Sequence, residues 1–208
     1  MSKLLYIEAS PLKSRSHTVA VARQFLDAYA RVHPDDDIET IDLWQATLPP
    51  FDGETIEAKF AVLRRQQFTP EQSGRWEAVR TVSRHFNSAD KYVFSVPMWN
   101  FGLPYPLKHY VDVVTLVGEN WTWSRQAGYG TIFAGKKALM IYASANLHEQ
   151  RGEDASDFQK PYLRRWLQFI GVDDVREITI APTLAEPESV GKMRTAAVNE
   201  ALRLAADF

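Results

Sequence analysis

The sequence predicts a doubly wound α/β fold built on a five-stranded parallel sheet in the order 2-1-3-4-5. Three observations carry the expectation. Strand-like and helix-like segments alternate along the chain. The connections between strand-like segments are too long for hairpins, so successive strands run parallel. Apolar runs such as 92–96 end in loops that lead into helix-like stretches. In this strand order the switch point falls between strands 1 and 3, where open sheets bind ligands at their carboxyl edge.

Residues 4–8 are the first apolar run. Ser16 is placed to cap a helix in which Val19, Ala22, Leu26 and Tyr29 recur at helical spacing, with Phe25 beside them. Asp35, Asp36 and Asp37 form a charged turn before the alternating strand 38–43, and 44–53, with two prolines, is a loop. Residues 56–68 predict a short irregular helical segment whose basic face, Lys59, Arg64 and Arg65, reads as solvated surface. Thr69 begins the next helix with Pro70 at N1 and Gln72 at N3, and Trp76, Val79, Val82 and Phe86 follow. The third strand covers 90–96 and the third helix 106–117, with Tyr110, Val113, Val114 and Val117 on its apolar face. Segment 120–133 packs Trp121, Trp123, Tyr129, Ile132 and Phe133 around Gly128 and Gly130, which suits a hairpin-like excursion. The fourth strand is 136–143. Phe158, Tyr162, Trp166 and Ile170 mark a further helix that Gly171 terminates, 175–181 is the fifth strand, and 186–206 is the closing helix.

The 208 residues suit a single domain with this aromatic excursion, and 45% hydrophobic with 24% charged residues is ordinary for a soluble protein. No stretch approaches the ~18 apolar residues of a membrane helix. The run beginning at Met1 is broken by Glu8 and reads as a strand, so a cytoplasmic location is expected. A net charge of −2 without a basic stripe gives no reason to expect nucleic acid. The absence of cysteine excludes disulfides, thiolate metal sites, Fe–S clusters and cysteine nucleophiles. His17, His33, His85, His109 and His148 are dispersed, so no metal is expected.

Three loops at strand ends could hold a ligand. Segment 9–18, after strand 1, gathers Ser10, Ser14, Ser16, Thr18, Lys13 and Arg15 ahead of a helix, a donor set suited to a phosphate. It lacks both a Walker loop and GxGxxG, which disfavours an ordinary ATP or dinucleotide site. Pro97, Met98, Trp99, Asn100, Phe101 and Gly102 follow strand 3. Taken alone they read as a rigid turn. Beside the serine loop they read better as a seat for a flat, polar-edged ring. Phosphate and ring on neighbouring strand ends describe a mononucleotide such as FMN. Ala143, Ser144, Ala145 and Asn146 follow strand 4; their small size lets backbone approach a ligand, and a turn with Asn146 left-handed is the plain alternative. Trp121, Trp123, Tyr129 and Phe169 could wall a substrate pocket, or form core or a subunit contact. His148 could hydrogen-bond a substrate oxygen, or be an exposed loop residue.

The chain resembles the FMN-dependent NADH-azoreductases, a flavodoxin-like family of homodimeric quinone and azo reductases. The landmarks are Ser10 with Ser14-Arg15-Ser16, Pro97-Met98-Trp99-Asn100-Phe101, Leu107-Lys108-His109-Tyr110-Val111-Asp112, Gly135-Lys136-Lys137-Ala138, and Pro161-Tyr162-Leu163 leading to Phe169-Ile170-Gly171. The resemblance implies that Ser10, Ser14, Arg15 and Ser16 hold the FMN phosphate. Met98, Trp99, Asn100 and Phe101 would line the isoalloxazine, and 143–146 would meet its far edge. That last run departs from the family's Ser-Arg-Gly-Gly-like pattern. The implied activity is a two-step exchange in which NADH or NADPH reduces the flavin and a quinone or azo compound then takes two electrons. No obligatory catalytic side chain is implied, and the proton for the reduced acceptor could come from water or from His148. The competing expectation is a flavodoxin-type electron carrier without turnover of its own. The near-neutral charge and the excursion at 120–133 argue against it.

Overall fold

The computed structural model describes residues 1–149 and 155–208. Its elements are β1 (Lys3–Glu8), α1 (His17–Val32), β2 (Asp37–Asp42), α2 (Gly53–Leu63), α3 (Pro70–Asn87), β3 (Lys91–Pro97), α4 (Tyr105–Val114), β4 (Trp121–Ser124), β5 (Gly128–Thr131), β6 (Lys137–Ala143), α5 (Lys160–Ile170), β7 (Asp174–Ile180) and α6 (Pro187–Ala205). Five strands form one parallel sheet in the order β2-β1-β3-β6-β7. With the hairpin strands β4 and β5 set aside in their own two-stranded sheet, this is the expected order 2-1-3-4-5, a flavodoxin-like arrangement.

The sheet is buried on both faces because its central strands are apolar at most interior positions, with the faces divided by a period of two. Leu5, Ile7, Tyr92, Phe94, Val96, Ala138, Met140 and Tyr142 meet α3, α4 and α5 through Phe86, Tyr110 and Trp166. Leu4, Tyr6, Val93, Leu139 and Ile141 meet α1 and α6 through Val21, Phe25, Ala197 and Leu204. The first layer is rich in aromatics and the second in alanine and aliphatic residues. A third cluster, Ala58, Trp76, Val79, Val113 and Leu116, attaches α2 to α3 and α4. No helix among the described residues is long and apolar enough to cross a membrane.

The helix starts follow their capping chemistry. The Ser16 hydroxyl accepts from the Val19 N–H at 3.5 Å. Thr69 and Gln72 form the full capping box at 3.2 and 3.0 Å. Gly171 ends α5 at φ 92°, as its position requires. Several boundaries move from expectation. The segment expected at 56–68 is a regular helix from Gly53 to Leu63, because Asp52 caps it by accepting from the Thr55 N–H at 3.1 Å. The third helix stops at Val114, and Val117 instead bridges to Trp121. Phe158 precedes α5 and is exposed.

Candidate functional site

The loops after β1, β3 and β6 lie side by side at the carboxyl edge, because those strands are neighbours in the sheet. In the first loop Ser10 is 1% exposed, and its hydroxyl has no hydrogen-bond partner among the described residues. A buried hydroxyl without a partner is unusual and calls for a ligand or solvent. Ser16 is buried and shares its hydroxyl with Thr18 at 3.0 Å, while Ser14 and Arg15 are exposed. The first turn of α1 carries no acidic residue, so the positive end of the helix is not neutralised. Hydroxyls, a guanidinium and helix amides around one helix start suit a phosphate group.

Lys13 departs from the expectation that it adds a free cation to this loop. It sits in a left-handed conformation at φ 51°, and its ammonium donates to Glu8 at 2.9 Å and also to Asp42. Burial works to lower its pKa, but the hydrogen bonds to Asp42 and Glu8 outweigh that and raise it. Glu8 is held in turn by the Tyr6 hydroxyl at 3.4 Å, and Tyr6 also meets the Ser95 hydroxyl at 2.9 Å. The ion cluster braces the loop; Arg15 remains its exposed cation.

The loop after β3 is fixed by backbone. The Met98 N–H donates to the Ala143 carbonyl at 2.7 Å, and Trp99 and Gly102 exchange backbone bonds at 3.1 and 2.9 Å. Between them Asn100 and Phe101 both adopt positive φ, 46° and 67°. Two consecutive left-handed residues make a tight turn, and an aromatic residue there is uncommon. Pro97 closes β3 just before it. After β6, Ala143 and Ser144 are buried and Ala145 and Asn146 exposed. The Ser144 hydroxyl donates to the Asn146 carbonyl at 2.7 Å, and the Ser144 carbonyl accepts from the Thr183 N–H at 2.9 Å. Asn146 is not among the left-handed residues; the hydroxyl bond turns the chain there instead.

Two residues join this edge that the sequence reading did not single out as a pair. Trp44 donates its indole N–H to the Ala9 carbonyl at 3.0 Å, and its ring lies 5.5 Å from both Trp99 and Tyr105. Trp44 sits in a proline-flanked loop with no local pattern, so only the adjacency of β2 and β1 brings it here. On the other side the Phe101 ring meets His148 edge-on at 5.7 Å, His148 Nδ1 is 3.0 Å from the Ser156 hydroxyl, and the Phe101 carbonyl accepts from the Phe158 N–H at 2.9 Å.

A separate aromatic pocket of about 490 Å³ opens between α2, α4, α5 and the hairpin. Trp121, Tyr129 and Phe169 are mutually 5.4 to 5.7 Å apart in its wall. Trp123 does not join them: it is 51% exposed, farther along β4 toward the hairpin turn. Lys59 is also corrected. It is half-buried in the pocket wall, with Nζ 5.6 Å from the Phe51 ring centre and 6.0 Å from that of Trp121. Among the described residues no group of three His, Cys, Asp or Glu side chains could hold a metal.

A family model described as flavodoxin-like fold matches residues 2–204. The FMN-dependent NADH:quinone oxidoreductase of Desulfotalea psychrophila is 38% identical over 208 residues, covering 100% of this chain and 98% of that protein. FMN-dependent NADH:quinone oxidoreductase 9 of Burkholderia lata is 37% identical over 212 residues, covering 100% of both. Among solved structures, an FMN-dependent NADH-azoreductase from Bacillus anthracis str. Ames Ancestor in complex with FMN superposes with a TM-score of 0.82 at 26% identity, over 99% of this chain and 100% of that one. The azoreductase from Bacillus anthracis str. Sterne, with a TM-score of 0.89 at 24% identity over 100% of both chains, agrees in fold. Matched over nearly its whole length by that family model and by relatives of this identity, the chain belongs to the flavodoxin-like family of FMN-dependent NADH:quinone oxidoreductases.

Proposed function

We infer that this chain, acting as one domain, is an FMN-dependent oxidoreductase that uses NADH to reduce quinones and azo compounds. The observation that carries the reading is the pairing of two neighbouring strand ends. One offers a buried, unpartnered Ser10 hydroxyl at an un-neutralised helix start; the other offers a tight aromatic turn of fixed backbone. The relatives named as oxidoreductases favour an enzyme over an electron carrier.

FMN, when bound, supplies the two-electron chemistry between NADH and acceptor. The protein's part is positioning. Ser10, Ser14, Arg15, Ser16 and the first amides of α1 hold the phosphate. Pro97, Met98, Trp99, Asn100 and Phe101 line the ring, and the left-handed pair Asn100 and Phe101 sets which backbone groups face it. Ala143, Ser144, Ala145 and Asn146 approach its far edge. Trp44 and Tyr105 support Trp99 from behind. His148, steadied by Ser156 and Phe101, is placed to hold a proton near an acceptor oxygen.

Trp121, Tyr129 and Phe169 form the acceptor pocket under this reading. The pocket meets α4 at Val111 and Asp112 and its C-cap at Thr115, six residues or more beyond Tyr105 and roughly 9 Å along the helix axis. A homodimer in which one copy's pocket faces the other's ring loop would bring them together. Sedimentation at micromolar concentration should therefore give a dimer, and a monomer would remove that part. The cytoplasm, where NADH is generated, is the proposed location. The central test is an absorption spectrum: the purified protein should be yellow, bleach on NADH, and recolour on benzoquinone. A protein with no affinity for FMN would end the reading.

A further inference from the structure

We propose that the buried Asp157 carboxylate, secured by Lys160, is a positioning group for the flavin: it shapes the segment that holds the ring turn in its left-handed conformation, and thereby sets the affinity and reduction potential of bound FMN. The proposal rests on the reading that this turn seats the ring.

Two consecutive left-handed residues, Asn100 and Phe101, persist only where the surroundings hold them. The peptide between Phe101 and Gly102 is held at both ends. Its carbonyl accepts from the Phe158 N–H at 2.9 Å, and its N–H donates to the Trp99 carbonyl at 2.9 Å. The N–H groups of Asn100 and Phe101 have no partner among the described residues, so they are the donors the turn offers a ligand. Phe158 is aimed at the turn by the residues around it. Asp157, 1% exposed, accepts with Oδ1 from the N–H groups of Gln159 and Lys160, at 3.0 Å each. That bends the chain around Phe158 and leaves its N–H for Phe101. The other carboxylate oxygen receives the Lys160 ammonium at 2.7 Å, and the ammonium lies 5.5 Å from the centre of the Tyr142 ring on β6. With side chains 0% and 10% exposed, this ion pair is the most enclosed among the described residues. Enclosing two charges is costly, and apolar replacements are often neutral, so stability alone does not account for the pair. What the segment holds does. The Gln159 amide donates to the Val96 carbonyl at 3.3 Å, near the end of β3, and the Asp157 N–H donates to the Glu149 carbonyl at 2.8 Å, beside His148. One short segment therefore grips the ring loop at its root and its tip, and the loop after β6 as well.

The test compares Lys160→Met alone, Lys160→Met with Asp157→Asn, and Lys160→Met with Asp157→Ala. Lys91→Met, which breaks an ion pair at the opposite edge of the sheet, is the control. Lys160→Met strands the Asp157 charge. FMN should then bind about tenfold weaker in a fluorescence titration. Its two-electron potential should fall by about 30 mV, the equivalent of a further tenfold loss confined to the reduced form, on which the turn's N–H donors act most strongly. Adding Asp157→Asn should restore most of both, because the amide oxygen still accepts from the N–H groups of residues 159 and 160. Adding Asp157→Ala should restore neither. The control should leave the potential where it was. An unmoved potential in Lys160→Met, equal behaviour of the two double variants, or a control that shifts as far overturns the proposal. If Lys160→Met does not fold, the two double variants decide between themselves. If no form binds FMN, the reading of the site falls by itself. Hydrogen exchange at the Phe158 amide then decides the grip on the turn: exchange about tenfold faster in the Ala double variant than in the Asn one upholds it, and equal rates remove it.

Discussion

The serine loop and the aromatic pocket each contain one conspicuous lysine, and the two are held in opposite ways. Lys13 is gripped by Glu8 and Asp42, whose carboxylates come from the ends of β1 and β2. Lys59 lies against aromatic faces with no hydrogen bond or ion pair among the described residues, and the Asp112 carboxylate acts on it only through space. The first lysine is structural: it fixes the shape of a loop that carries hydroxyls, helix amides and the exposed Arg15. The second is left to respond to whatever enters. A cation's availability is therefore set by which acids the fold brings to it, and the residue type alone does not report it.

The largest expected effect tests whether the pocket is a built cavity. Gly171 ends α5 against the hairpin, and a Cβ there would lie 2.5 Å from the Phe133 carbonyl and 2.9 Å from Thr131, at φ 92°. Gly171→Ala should cost about 3 kcal/mol in denaturant unfolding, from backbone strain plus the clash. A loss under about 1 kcal/mol would mean that the hairpin moves aside freely and that its wall is not rigid.

The next effect addresses the two lysines directly. Lys13→Met leaves Glu8, nearly buried, without its cation, and should cost about 1–2 kcal/mol and weaken FMN retention. Lys59→Met should stay within about 0.5 kcal/mol in the same assay, because no partner is stranded. Equal losses would erase the distinction.

The smallest effect extends the rule to the opposite edge of the sheet, where Lys91 meets Asp36 at 3.4 Å and Tyr29 donates to Asp36 at 2.5 Å. The Tyr29 hydroxyl, then the Ser2 N–H and Lys91, hold the Asp36 carboxyl down to about 2. A folded value below the ordinary one gives stability that is present above about pH 4 and is lost as pH falls toward 2. Asp36→Asn should lower stability at neutral pH and flatten that part of the acid limb. An acid limb unchanged by the substitution would show that the paired cluster contributes nothing there.

Much of the fold was legible because its signals are local. Ser16, Thr69 with Gln72, and Gly171 each act within a turn of helix, and each behaves as read. The boundaries that moved depended on less conspicuous caps: Asp52 was read as loop, yet it starts α2 three residues early. At the site, the serine loop was visible as a cluster of donors. The ring turn was visible as stiff, but not as a left-handed pair, since Asn100 and Phe101 are placed by bonds from Met98 and Phe158 to partners far along the chain. Trp44 gave no signal because its partners, Ala9, Trp99 and Tyr105, lie on other elements.

By itself the sequence determined the alternation of elements, the parallel strand order and the two loops, one rich in hydroxyls and one aromatic, at neighbouring strand ends. Periodicity, caps and donor clusters are written in neighbouring residues. The tertiary structure alone decided which charges remain available, which hydroxyl stays unpartnered, and that Lys59 faces a pocket while Lys13 is clasped. Those outcomes depend on distances between residues far apart in the chain, and Coulomb and hydrogen-bond energies are set by such distances.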